Sequence, residues 1–78
     1  MIAAPIPKET DLAQLTWPFY LLELKSVLKP MQPGQVLRAH IADEASLANI
    51  RQLMKASKDR VTEVRETGPG YVLTIVKG

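Results

Sequence analysis

The fold class that the sequence predicts is a two-layer α/β sandwich in the order β-α-β-α-β-β, a mixed four-stranded sheet with two helices packed on one face. Three observations predict it. Apolar residues recur at helical spacing in two separate runs, Leu21-Leu24-Val27-Leu28 and Leu47-Ile50-Met54. Between them, Gln35 to Ile41 alternates in the strand period. The chain then closes on two β-rich runs, Arg60 to Glu66 and Tyr71 to Lys77, joined by Gly68-Pro69-Gly70. Helices that alternate with strands make right-handed crossovers, which set both helices on the same face of the sheet.

The elements follow in order. Pro5 and Pro7 make residues 1–9 an extended, frayed N-terminus, and a single domain is expected over residues 10–78. A short first strand is expected over Thr10 to Ala13. The first helix has Thr16 as its side-chain N-cap and Pro18 in its first turn, where the missing N–H is not needed. Glu23, Ser26 and Lys29 lie opposite its apolar face, Pro30 stops it, and Pro33-Gly34 turns the chain. In the next strand Leu37, Ala39 and Ile41 face one side, and Val36, Arg38 and His40 the other. Asp43 caps the second helix, and Glu44 complements its dipole. Leu53 flanks the apolar stripe of that helix. In the closing hairpin Tyr71, Leu73 and Ile75 are expected to face the helices, and the glycines to supply the permissive dihedrals of the turn.

Composition excludes several function classes. The 78 residues contain no cysteine, which removes disulfides, thiol nucleophiles and thiolate-ligated metal sites. A domain of this size buries only about 60% of its surface on folding, so most apolar side chains are needed inside. Ten Lys and Arg against eight Asp and Glu give a net charge of +2, with the signs interleaved. Attraction to polyanions is therefore weak. No apolar run approaches the roughly 20 residues needed to span a bilayer, and the first residues lack the pattern of a signal peptide. Cytoplasmic location without membrane association is expected, as is the absence of any cofactor.

Several local strings resemble the TusA/SirA-like sulfur-carrier family over Asp11 to Lys77. Members open with an Asp-led strand, then Cys-Pro-x-Pro at the start of the first helix, then a Lys further along it. Here Asp11, Pro18, Leu21, Leu22 and Lys25 fit that run, as do Pro33-Gly34-Gln35-Val36-Leu37 and Asp43. Asn49-Ile50 stands where the family often has Asp-Ile. The departures fall on the chemistry: Trp17 occupies the cysteine position, Tyr20 replaces the second proline, and Gln14 replaces a common glycine. In the family a thiolate at a helix N-terminus, stabilised by the helix dipole, carries a sulfane sulfur. Trp offers no nucleophile and a single N–H donor. The resemblance thus implies a non-catalytic relative that keeps the fold and has lost the persulfide site, a protein-binding or regulatory module related to sulfur trafficking, and it implies no enzyme.

Other candidate sites are sparse. His40 is the only histidine, so it has no partner for a metal site and reads as a half-exposed strand residue. Asp43 and Glu44 are accounted for by capping. Arg51, Lys55 and Lys58, extended by Arg60, form a basic stripe that offers a nucleic-acid surface, although no aromatic interleaves it to stack a base. Three of the four aromatics fall within Trp17-Pro18-Phe19-Tyr20. A helical wheel leans Trp17 and Tyr20 toward the core, while Phe19 and Leu22 point away. Trp17 either fills core space that a cysteine would leave or joins Phe19, Leu22 and Lys25 in contacting a protein partner. Val36, Val72 and Val76 on the open sheet face offer a second surface, for a homodimer.

Overall fold

A computed structural model describes residues 7–78 and has the predicted order: β1 (Lys8–Asp11), α1 (Phe19–Leu28), β2 (Val36–Ile41), α2 (Glu44–Lys55), β3 (Arg60–Glu66) and β4 (Tyr71–Val76). The sheet order is β1-β2-β4-β3, with β1 parallel to β2 and the other pairs antiparallel. The fold is the mixed α/β arrangement expected. The extended segment expected over residues 1–9 falls largely on residues 1–6, outside the described residues. Lys8 and Glu9 belong to β1.

The first strand lies two residues earlier than Thr10 to Ala13. Its sequence, KETD, is polar and pairs in parallel with β2, Lys8 opposite Leu37 and Asp11 opposite His40, with the Glu9 carboxylate reaching His40 across the pair. Leu12 leaves the strand to become a core residue. Its N–H bonds the His40 carbonyl at 2.8 Å, and the Asp11 carboxylate accepts the Ala13 N–H at 2.9 Å. These bonds turn the chain away from the sheet toward α1.

The predicted apolar periods place the core correctly. Leu24 and Leu28 of α1, Ile50 and Met54 of α2, Leu37, Ala39 and Ile41 of β2, and Leu73 and Ile75 of β4 are all buried. Leu21, Val27, Leu47, Leu53 and Tyr71 pack partly against them. Asp43 caps α2 as expected: its Oδ1 accepts the Ser46 N–H at 2.9 Å. That bond holds the Asp43 carboxyl below its ordinary value of 3.8. Because the folded-state value is the lower one, the stabilisation is complete above the ordinary value and is lost as pH falls through the folded one. Urea titrations from about pH 5 to 3 should therefore show wild type losing more stability than Asp43→Ala over that interval.

Two glycines have separate duties in the closing hairpin. Gly68 takes φ +98°, which L side chains avoid. Gly70 does not; it is buried, and a Cβ there would run into the Ile41 carbonyl oxygen and crowd Ala42. The permissive dihedral is thus needed at one glycine, and close approach of backbones at the other. Gly70→Ala should destabilise by roughly 1–3 kcal/mol, the usual penalty for overpacking, read from a chemical denaturation midpoint.

Candidate functional site

The start of α1 differs from its prediction in a way that shapes the site. Thr16 does not cap the helix through its side chain; the N-cap residue is Pro18, with no side-chain cap bond. The Thr16 backbone carbonyl accepts instead, from the Phe19 N–H at 2.7 Å and the Tyr20 N–H at 3.3 Å. The Pro18 carbonyl takes the next two, from Leu21 at 3.0 Å and Leu22 at 3.2 Å. The first-turn N–H groups are therefore engaged by backbone. The Trp17–Pro18 peptide is cis.

Because the helix begins at Phe19, Trp17 precedes it and the helical wheel does not govern its direction. Tyr20, one position into the helix, goes to the core at 3% exposure, as expected. Trp17 does not: it is 66% exposed, so it fills no core space. Phe19 at 58% and Leu22 at 57% point into solvent as predicted, separated by one helical turn. Leu15, at 37%, joins them, although no helical or strand period marks it in the sequence. The signal available was a fourth apolar residue in a run already carrying three aromatics. Among the described residues these four are the large hydrophobics left exposed. Lys25 follows Leu22 by three residues and is exposed beside it.

Two departures from the pattern of the resembled family meet at a part-buried contact. The Asn49 side-chain amide donates to the Tyr20 hydroxyl at 2.7 Å, joining α1 to α2. The residue that replaces the second proline is thus held by the one that replaces the common aspartate.

The remaining candidates resolve simply. His40 sits half-exposed on the open sheet face with Nε2 3.1 Å from Glu9 Oε1. No group of three metal-ligating side chains occurs among the described residues. Arg51, Lys55 and Arg60 line one shallow surface depression of about 560 Å³, which Lys58 does not join, and no aromatic lines it. Val36, Val72 and Val76 do lie on the open face, half-buried. Polar residues interrupt them there: Arg38 lies opposite Thr74, which pairs with Glu63, and Arg65 lies opposite Val72. No helix among the described residues is long and apolar enough to cross a membrane.

The family described as Sulfurtransferase TusA matches residues 8–77. Neither the curated proteins nor the solved structures give a match.

Proposed function

The chain belongs to the TusA sulfurtransferase family, and on that footing we propose that it is a non-catalytic, cytoplasmic protein-binding module of sulfur trafficking that does not itself carry a persulfide. The relation to sulfur trafficking follows from the family, and the loss of the carrier chemistry from the absence of cysteine in these residues. One observation supports the binding role: the large apolar side chains left in water are gathered at Leu15, Trp17, Phe19 and Leu22, around the position where the family has its thiol. A small domain needs its apolar residues for the core. Four of them withheld from an otherwise complete core favour an interface, and aromatic residues are what interface centres use.

The open sheet face is the weaker candidate surface for a partner or a second copy, since its valines are divided by charged and polar side chains. The depression at Arg51, Lys55 and Arg60 supports nucleic-acid binding only through charge. That reading requires binding that weakens steeply with salt.

Photo-crosslinking tests the proposal. With Phe19 replaced by benzoylphenylalanine, one specific protein should be captured in cells, and the same probe replacing Arg51 should not capture it. Identical products from both positions, or none from either, reject the reading.

A further inference from the structure

The exposed patch does not end at Leu22. A groove of about 540 Å³ opens between α1 and α2, with Leu22 on its rim and the buried Leu28 and Met54 in its floor; Leu53 lines the α2 side. Lys25 on α1, Lys29 at its C-cap and Lys77 just past β4 also line it, with Asp59 as the one carboxylate of the lining. Asp59 is already committed: it lies 3.8 Å from Lys77 Nζ and accepts the Gly78 N–H at 2.8 Å. Lys25 and Lys29, one turn apart on the same face, have no carboxylate within 4.0 Å among the described residues. The groove is therefore apolar along its floor and carries two unneutralised cations on one wall.

We propose that this groove seats an acidic, apolar segment of the protein partner, with its aliphatic side chains on Leu28, Leu53 and Met54 and its carboxylates on Lys25 and Lys29. The inference rests on the protein-binding reading and extends it, since Leu22 belongs to both the exposed patch and the groove. From Leu22 to Lys29 the wall runs about 10 Å, at 1.5 Å per helical residue, enough for two turns of a helix or a few extended residues. Charge complementarity selects the occupant. A second copy docking by the same face would bring two such lysine-bearing walls into one interface and offer them no carboxylate from the groove, since Asp59 is taken. A nucleic acid would find phosphate contacts, but its bases would meet aliphatic side chains with no aromatic to stack on.

The experiment selects random peptides by display against the full chain and maps the selected ones by amide chemical shifts. Selected sequences should be enriched in Asp and Glu interspersed with Leu, Ile or Phe, and should shift the amides of Lys25, Lys29 and Leu53. Lys25→Glu with Lys29→Glu should weaken their binding about tenfold or more, and the paired variant should select basic peptides instead. Peptides that are neutral or basic against wild type, or that shift only Trp17 and Phe19, overturn the groove assignment and leave the protein-binding reading standing. A selection that yields no binder, or shifts at neither surface, overturns both. Shifts in the groove with oligouridylate but not with acidic peptides overturn the proposal in favour of nucleic acid.

Discussion

Tyr20→Ala is expected to destabilise the protein by about 3–5 kcal/mol, the range for removing a buried aromatic. Small domains hold only about 5–15 kcal/mol in total, so the variant should be largely unfolded at modest urea concentrations. The side chain is enclosed in the core with Leu24 and Leu28 of its own helix. Little else can close the space, because the neighbouring aromatics Trp17 and Phe19 point outward. The hydroxyl adds a separate contribution by accepting the Asn49 amide at 2.7 Å. Tyr20→Phe removes only that bond and should lose about 1 kcal/mol. Pairing it with Asn49→Ala in a double-mutant cycle gives a coupling energy for the contact. A loss below about 1 kcal/mol for Tyr20→Ala would mean that the aromatic is not part of the core.

Most of the fold was legible because its signals are local. The alternation of Leu37, Ala39 and Ile41 needs nothing beyond β2 itself, and Asp43 caps α2 through a residue three positions away. The first strand is not legible because KETD has no apolar pattern; it is a strand only because β2 offers it a parallel edge. The role of Gly70 was half visible for a similar reason: a turn glycine can be read from sequence, its approach to Ile41 cannot. At the site, the position of Trp17 in the family pattern was legible, but not its direction. A helical wheel carried across Pro18 cannot give that direction, because Trp17 lies outside the helix. The Tyr20–Asn49 bond, between residues 29 apart in sequence, and the groove formed by α1, α2 and the end of β4 depend on how the helices pack.

Trp17→Ala should do the reverse of Tyr20→Ala: little to stability and much to binding. With two thirds of its surface in water, removing it should change the unfolding free energy by no more than about 0.5 kcal/mol, as for other surface sites. Covering it is another matter. A tryptophan buries up to about 150–250 Å², and at about 25 cal/mol per Å² the exposed part is worth about 2–4 kcal/mol when a partner covers it. The affinity should therefore fall about 30-fold to 1,000-fold. Titration calorimetry with the crosslinked partner, beside urea denaturation of the same variant, separates the two effects. Binding unchanged in a folded Trp17→Ala variant would remove Trp17 from the interface. A large stability loss with proportionate binding loss would make Trp17 a structural residue. Unchanged stability with weakened binding is the expected result, because Trp17 stands one residue before the helix-cap position, where its side chain is free of the core that its neighbour Tyr20 completes.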